Sequence, residues 1–125
     1  MGREKTVESF FVQYSKMKFL LGTRLVQVGA SAIDNWKLLD ESSPGDIWFH
    51  VHHASSAYVI LQKMDDEPVP DDVIFQCAKL CKKHSKERTF SRSIIVYCPV
   101  ENLKKGKAIG SVHIIKPAPS ITVYE

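Results

Sequence analysis

Residues 45–61, GDIWFHVHHASSAYVIL, constrain the fold more than any other part of this 125-residue chain. The first half alternates, so that Phe49 points to one side of an extended chain while Trp48 and His50 point to the other. Because both sides carry bulky residues, the alternation predicts a central strand with neither face fully wet. Small polar residues at 53–56 predict a turn, and the apolar run after them predicts a second strand. We therefore expect a core hairpin with one polar and aromatic face, in which Trp48 packs inside.

The rest of the chain alternates between short strands and two helices. Further strands are predicted at residues 9–14, 17–21, 23–28, 94–98, 111–115 and 120–124. One helix is predicted to start after Ser31 as N-cap and to reach about residue 39, and a second to span residues 71–86 with Asp71 or Asp72 as its cap. Residues 40–45, 64–70, 87–93 and 99–107 are predicted as loops. This order predicts one α+β domain at residues 9–125, with two helices on a mixed or antiparallel sheet, after a frayed segment at residues 1–8.

The composition is that of an ordinary globular domain. Hydrophobic residues make up 44% of the chain and charged residues 25%, both typical values. No apolar run approaches the roughly 18 residues of a membrane span, and no secretion signal is visible. The cysteines are Cys77, Cys81 and Cys98, and the first two lie four residues apart on a predicted helix, which is a poor disulfide geometry. We therefore expect reduced thiols and a cytoplasmic location.

Charge is distributed unevenly along the chain. Residues 34–72 hold nine acidic side chains against two lysines, a net charge of −7. Residues 76–107 hold nine basic side chains against two acidic ones, a net charge of +7. Opposite blocks of this size give the molecule a strong dipole. The basic block favours binding of a polyanion, and the acidic block favours binding of a protein partner. The alternative to both is a solvated surface whose charge is uneven but has no binding role.

No catalytic signature stands out. His50 and His52 share one face of a predicted strand, and His-x-His is a spacing that zinc and iron sites use. A metal would need further ligands, which His84, His113 or a cysteine supplies only if the fold brings it close. The cysteines lie in apolar runs typical of inert buried thiols, and neither a Gly-x-Ser-x-Gly elbow nor a glycine-rich phosphate loop is present. We therefore predict no catalytic residue, no metal and no cofactor.

The basic third of the chain is more informative. Lys79, Lys82, Lys83 and Lys86 fall at helical spacing and predict a stripe of cations on the second helix. Two further cationic groups follow in predicted loops, Arg88 with Arg92, and Lys104 with Lys105. Long cationic side chains contact phosphates without reading bases. Phe90 and Tyr97 lie nearby in the sequence and could stack on unpaired bases. The pattern favours nucleic-acid binding.

Several short motifs resemble the NFACT-R family (DUF814), most closely its small eukaryotic-type members. The matching segments are Val28-Gly29 with Asp34-Asn35, Asp46-Ile47-Trp48 with His50, His84-Ser85-Lys86 with Arg88, Val96-Tyr97 with Pro99-Val100, Leu103-Lys104-Lys105, and Gly110 with Val112. The likeness covers residues 18–124, although Ala30 stands where the family commonly has Arg, and Tyr58 where its larger members have His. The resemblance implies an RNA-binding module. In the large relatives this module belongs to ribosome quality-control factors that recognise the obstructed large subunit with its tRNA.

The sequence and the resemblance together predict a non-catalytic RNA-binding domain. The expected partners are tRNA or ribosomal RNA, and binding of either would bring the domain to the ribosome. DNA is another polyanion that could bind. The candidate contact residues are His50, Lys79, Lys82, Lys83, Ser85, Lys86, Arg88, Arg92, Tyr97, Lys104 and Lys105. The alternatives are a protein-interaction module that uses the acidic residues at 34–72 and a metal-dependent enzyme that uses His50 and His52.

Overall fold

The computed structural model describes residues 17–64 and 67–124, and within them eight strands and two α-helices form one α+β domain, as predicted. The elements in chain order are β1 (Met17–Leu21), β2 (Arg24–Val28), α1 (Ala32–Glu41), β3 (Ile47–Val51), β4 (Val59–Leu61), α2 (Asp71–Lys83), β5 (Arg92–Pro99), a short 3-10 helix (Val100–Asn102), β6 (Leu103–Lys105), β7 (Val112–Ile114) and β8 (Ser120–Tyr124). The predicted strand at 9–14 and the segment at 1–8 lie outside the described residues. No helix in the described part of the chain is both long and apolar enough to span a membrane.

Six strands form one antiparallel sheet in the order β1-β2-β4-β3-β5-β8. The predicted central hairpin is confirmed, because β3 pairs with β4 on one side and with β5 on the other. Phe49 thus lies opposite Val59 and Tyr97. The strands β6 and β7 pair only with each other and form a small second sheet.

The alternation along β3 sends neighbouring side chains into two separate cores. Phe49 faces α2, whereas Trp48, which is only 2% exposed, faces α1. The core under α2 is largely aliphatic, with Val26, Val51, Val59, Leu61, Ile74, Cys77, Cys81, Ile95 and Val123. The core under α1 contains Leu38, Trp48, Tyr58, Ile60, Val96 and Cys98. The two helices therefore cover opposite faces of the sheet.

The helix α1 starts as the sequence predicts. Ser31 is its N-cap, and the Ser31 hydroxyl accepts a hydrogen bond of 3.2 Å from the Asp34 amide. The predicted cap of α2 is wrong, because its N-cap is Pro70, which makes no side-chain hydrogen bond. Asp71 and Asp72 lie instead within the first turn. Their carboxylates still stabilise the helix there, because they interact favourably with the positive end of its dipole.

The second helix ends three residues earlier than predicted, at Lys83. His84 leaves the helical conformation with φ −103° and ψ 37°. The chain then turns to form an isolated antiparallel bridge between Ser85 and Ser56, in the β3–β4 connection. Tertiary pairing therefore overrides the helical periodicity of the last residues.

The C-terminal half holds more regular structure than predicted. The strand β5 runs over Arg92–Pro99 rather than residues 94–98, because β3 and β8 pair with it on its two sides. The segment 99–107, predicted as a loop, contains the 3-10 helix and β6. A strand of three residues such as β6 is too short to show a periodic pattern. Its pairing with β7 is what identifies it as a strand.

Candidate nucleic-acid interface

A cleft of about 770 Å³ lies between the N-terminus of α1 and the segment that follows α2. Its walls come from five parts of the chain: the start of β1, the β2–α1 connection with the first turn of α1, the end of β3 with the following turn, residues 83–88, and residues 109–111. The polar and charged side chains that line it are Ser31, Asn35, His50, Ser55, Ser56, Lys83, His84, Ser85, Lys86, Arg88 and Ser111. We call this concave site the cleft.

Backbone hydrogen bonds hold the basic wall of the cleft in place. The Ala57 amide donates to the His84 carbonyl at 3.1 Å, and the Lys86 amide donates to the Ser55 carbonyl at 3.2 Å. The Ser85 hydroxyl donates to the Lys82 carbonyl at 2.7 Å and accepts from the Glu87 amide at 3.0 Å. Ser85 is buried, and its hydroxyl shapes the turn, while a ligand contact by this side chain stays a prediction.

Lys82 does not belong to an exposed stripe, and that prediction is wrong. The side chain is only 3% exposed. Its Nζ donates to the carbonyl oxygens of Phe90 at 2.6 Å and Arg88 at 3.3 Å. Lys82 therefore anchors the loop after α2 from inside, because a buried amine needs acceptors and the loop supplies two. It fixes the backbone from which Arg88 projects.

Three cations remain directed to solvent on this wall. Lys83, Lys86 and Arg88 are exposed and line the cleft. Within residues 17–64 and 67–124, no carboxylate forms an ion pair with any of them. The Arg88 guanidinium donates one bond of 3.4 Å to the Ser85 carbonyl, which leaves most of its donors for a ligand. Their summed field, with the positive end of the α1 dipole across the cleft, favours an anion.

A smaller groove of about 590 Å³ adjoins this wall. It shares Lys83 and Arg88 with the cleft and adds Lys79 and Phe75. The Lys79 ammonium lies 5.6 Å from the centre of the Phe75 ring, and Phe75 is 39% exposed. The cleft and the groove together form a track along α2, and Asp72 also lines the groove.

The opposite wall depends on close backbone packing. The Asn35 Oδ1 accepts from the Tyr58 amide at 3.0 Å, and the Gly29 amide donates to the Tyr58 carbonyl at 3.0 Å. A Cβ at position 29 would collide with Asn35 Oδ1. At Gly110, which has φ +87°, a Cβ would lie 2.7 Å from the Ala32 Cβ. Only glycine therefore allows these segments to approach each other so closely.

His50 lies between the two walls with its ring held by neighbours. Trp48 stacks on it with centroids 5.6 Å apart and planes 7° apart, and Tyr58 packs at 81° and the same centroid distance. The Tyr58 hydroxyl donates to the Gly110 carbonyl. Burial lowers the pKa of His50, and the bond between its Nδ1 and the Val51 carbonyl opposes this only in part. Burial also lowers the pKa of His84, helped by the positive charge of Lys83.

Several predicted contact residues lie elsewhere. Tyr97 stacks on Phe49 at 5.6 Å in the core under α2, on the other side of the sheet from His50. Arg92 is exposed at the start of β5 and lines neither the cleft nor the groove. The remaining pair, Lys104 and Lys105, is in β6 and also outside the cleft.

Lys105 already has partners within the protein. Its Nζ lies 2.7 Å from Asp40 Oδ1 and 5.0 Å from the centre of the Trp36 ring. Its neighbour Lys104 lies opposite His113 and is exposed. We call Lys104 and Lys105 the β6 patch. The structure thus separates the predicted cations into two surfaces.

The groups considered for catalysis are not arranged for it. In residues 17–64 and 67–124, no three metal-binding side chains lie close enough to hold an ion. His52 is exposed and contacts His53, at 3.9 Å between ring centroids. Burial raises the pKa of the Cys77 and Cys81 thiols to about 12 and that of Cys98 to about 11. Thiols with such values carry almost no thiolate at neutral pH.

The sequence did not identify two parts of the cleft. The first is the β2–α1 connection, where the sequence marks Ser31 as a cap and Val28-Gly29 with Asp34-Asn35 as a family motif, but does not place this connection beside the basic residues. The second is the segment 109–111, for which Gly110 is the only signal, as a glycine before a strand. Both segments reach the cleft through long-range packing against Tyr58 and α1, which a pattern within one segment does not encode.

Comparison with known sequences identifies the family. The family described as "NFACT protein RNA binding domain" matches residues 10–114. The chain belongs to this family of nucleic-acid-binding modules, as the motifs predicted. The match covers β1 to β7, including every segment that lines the cleft.

Curated relatives agree with this assignment. Coiled-coil domain-containing protein 25 of Mus musculus is 36% identical over 87 residues, which are 66% of this chain and 42% of that protein. The homolog of Dictyostelium discoideum is 35% identical over 82 residues, 62% of this chain and 40% of that protein. The matches thus span less than half the length of these relatives.

One solved structure shows the same fold. It is the C-terminal part of the fibronectin/fibrinogen-binding protein of Streptococcus suis, with a TM-score of 0.78 and 22% identity. The superposition covers 88% of this chain and 45% of that one. At this identity the likeness concerns the fold alone.

Proposed function

We propose that this domain binds RNA in the cleft, without catalysing a reaction. The observation that carries the proposal is the basic wall of the cleft, where Lys83, Lys86 and Arg88 are exposed beside a concave surface and opposite a helix N-terminus. A site of this kind stabilises phosphate oxygens by charge-assisted hydrogen bonds. Membership of a family of RNA-binding domains supports RNA as the polyanion.

Unpaired RNA fits this surface better than a duplex. The track from the cleft to the groove runs along α2 and presents Lys79 and the exposed Phe75 beyond Lys83. A flexible single strand can follow such a path, place phosphates on the cations and stack a base on the aromatic ring. Single-stranded parts of tRNA or ribosomal RNA are therefore the proposed ligands.

A role in ribosome quality control in the cytoplasm is the cellular part of the proposal. It is supported by the resemblance to the NFACT-R domains of that pathway and by the choice of tRNA or ribosomal RNA as ligand. DNA is a weaker ligand in this proposal, bound through its phosphates. The residues of the β6 patch and Arg92 are proposed to contribute only long-range attraction.

The alternative of an acidic protein-binding surface has less support. The acidic residues at 34–72 do not share one surface, because Asp34 and Asp40 are on α1 while Asp71 and Asp72 are on α2, across the sheet. Asp46 is engaged locally and accepts from the Ser43 and Lys63 amides.

Fluorescence anisotropy tests the proposal. Labelled tRNA, a single-stranded RNA and a DNA duplex are titrated at low and physiological salt with the wild type and two matched double variants. Lys83→Gln/Lys86→Gln removes two cations of the cleft, and Lys63→Gln/Lys116→Gln removes two exposed lysines outside it. The cleft variant should bind both RNAs more weakly, with a salt slope smaller by roughly 1.4 because each phosphate contact contributes about 0.7.

The control variant should stay close to the wild type. Equal losses in the two variants would mean that only net charge matters and would remove the cleft from the proposal. A wild-type protein that binds no RNA at low salt would refute RNA binding altogether.

A further inference from the structure

His50 lines the cleft, and one nitrogen of its ring has no partner among the described residues. Its Nδ1 lies 2.6 Å from the Val51 carbonyl oxygen. Because a carbonyl oxygen can only accept, Nδ1 carries the proton of this bond. Burial lowers the pKa of the ring below 6.5, so it is neutral at pH 7 and its other nitrogen, Nε2, keeps a lone pair. Among the residues that the structure describes, no side chain or backbone group pairs with Nε2.

The His50 ring is held in position by two aromatic neighbours. Trp48 lies parallel to it at 5.6 Å, and Tyr58 packs nearly perpendicular to both rings. The bonds of Tyr58 to Asn35 and Gly110 tie this cluster to the α1 wall. Such a rigid arrangement gives a hydrogen bond a defined direction at little entropic cost. What His50 contributes to the cleft is therefore its acceptor nitrogen.

The neighbours of His50 select the kind of ligand group that this acceptor meets. Lys83, Lys86 and Arg88 offer donors for anionic oxygens on the same concave surface. A ligand that uses both kinds of protein group needs a hydrogen-bond donor close to its phosphates. The ribose 2′-hydroxyl is such a group, since every ribonucleotide carries one beside its phosphate and DNA lacks it.

We infer that His50 Nε2 accepts a hydrogen bond from a ribose 2′-hydroxyl, which makes the cleft selective for RNA over DNA. This inference rests on the proposed binding of RNA in the same cleft. An amino or imino group of a base is the other donor that RNA offers. The ribose is favoured because its hydroxyl recurs at every phosphate whatever the sequence, as the phosphate contacts of Lys83 and Lys86 do.

The experiment changes only the 2′ group of the ligand. Labelled oligouridine is compared with the same sequence carrying 2′-fluoro groups, which keep the RNA-like sugar pucker but donate no hydrogen bond. The wild type should bind the hydroxyl strand two- to tenfold more tightly, about the range for one neutral hydrogen bond. A base donor would give no difference, since the two strands have identical bases.

Two variants of His50 assign the preference to this residue. His50→Phe keeps an aromatic ring against Trp48 but removes the acceptor, and it should bind both strands with the wild-type affinity for the fluoro strand. His50→Gln can present an amide oxygen near the position of Nε2, and it should retain part of the preference. Lys86→Gln is the control, because it should weaken both strands equally and preserve their ratio. Circular dichroism and thermal unfolding confirm that each variant is folded. If His50→Phe does not fold, the comparison is made with His50→Gln alone.

The outcomes separate this inference from the function on which it rests. Saturable, salt-dependent and equal binding of both strands by the wild type would overturn the role of His50 and leave RNA binding intact. A preference that survives in His50→Phe would overturn it as well. No binding of either strand at low salt would overturn both proposals.

Discussion

The two basic surfaces of this domain resemble each other in the sequence but are built differently. On the cleft wall, Lys83 and Lys86 are exposed beside a concave surface and form no ion pair with a carboxylate of the described residues. In the β6 patch, Lys105 lies 2.7 Å from Asp40 and over the Trp36 ring. A ligand phosphate must compete with Asp40 for Lys105, whereas Lys83 and Lys86 are ready to bind it. In the proposed RNA binding, we therefore expect partners within the protein, more than the number of cations, to decide which surface binds.

The largest effect in this comparison is expected from Lys82, which is almost fully buried. Lys82→Met keeps the length of the stem but leaves the carbonyls of Arg88 and Phe90 without their buried donor. We expect a loss of about 1–3 kcal/mol in the free energy of unfolding, the cost of unsatisfied buried groups. RNA affinity should fall on the order of tenfold, because the loop that carries Arg88 loses its anchor. Chemical denaturation and anisotropy measure the two quantities.

Lys37→Met is the matched control for this change. Lys37 is an exposed lysine of α1 that does not line the cleft, so its replacement should alter stability and affinity little. A Lys82→Met protein with wild-type affinity would show that the loop needs no anchor and that the cleft wall is less ordered than the hydrogen bonds indicate.

The next largest effect separates the two surfaces directly. Lys83→Gln/Lys86→Gln and Lys104→Gln/Lys105→Gln remove the same charge, one pair from the cleft and one from the β6 patch. The salt slope for single-stranded RNA should fall by roughly 1.4 in the first variant and by less than half as much in the second. Salt titrations of both variants give the slopes. Equal slopes would erase the distinction, and a larger change in the second variant would move the interface to the β6 patch.

The sequence could predict the frame of the fold because the strongest signals are local. Alternation along β3 gives two buried faces whatever the neighbouring strands are, and Trp48 packs as predicted. Ser31 caps α1 because a serine before a helix needs only the next three residues to make its bond. The motifs around Trp48 and Arg88 are also short and local, and for that reason the residues alone indicated the family.

The sequence could not distinguish a buried lysine from an exposed one. Lys82 lies at the same helical spacing as Lys79 and Lys86, and only the chain's return through Arg88 and Phe90 buries it. The ion pair of Lys105 likewise joins residues 65 positions apart. Local spacing therefore indicates where cations are concentrated along the chain, while the partners that occupy some of them depend on tertiary contacts.

The two partly buried histidines of the cleft should make the stability of the protein depend on pH. Burial lowers the pKa of His50 and His84, both in the cleft, below the ordinary value of 6.5 that we assume for the unfolded chain. At pH values below 6.5 the unfolded state then binds more protons than the folded state. The free energy of unfolding should therefore decrease as pH falls through 6.5 and level off below the folded pKa values. Chemical denaturation at pH 7.5, 6.5 and 5.5 measures the free energy of unfolding. Carboxylates that titrate in the same range act equally in the wild type and in a histidine variant, so comparing the two proteins isolates the histidine contribution.

His50→Phe supplies that comparison. It removes one of the two buried titrating groups, so its stability should depend less on pH between 7.5 and 5.5 than that of the wild type. A His50→Phe protein with an unchanged pH profile would mean that this ring does not resist protonation in the folded state.

The smallest expected effect is the release of Lys105 from its carboxylate. Asp40→Asn removes an ion pair whose side chains are 40% and 63% exposed, and exposed pairs of this kind contribute only about 0–1 kcal/mol. The fold should therefore tolerate the change, and RNA affinity at low salt should rise by about twofold because Lys105 becomes available to phosphate. The double variant Asp40→Asn/Lys105→Gln distinguishes this cause from the loss of a negative charge. If the gain persists without Lys105, the repulsion between Asp40 and RNA accounts for it. If the gain disappears, the pairing with Asp40 is what keeps the β6 patch from acting as a second phosphate site.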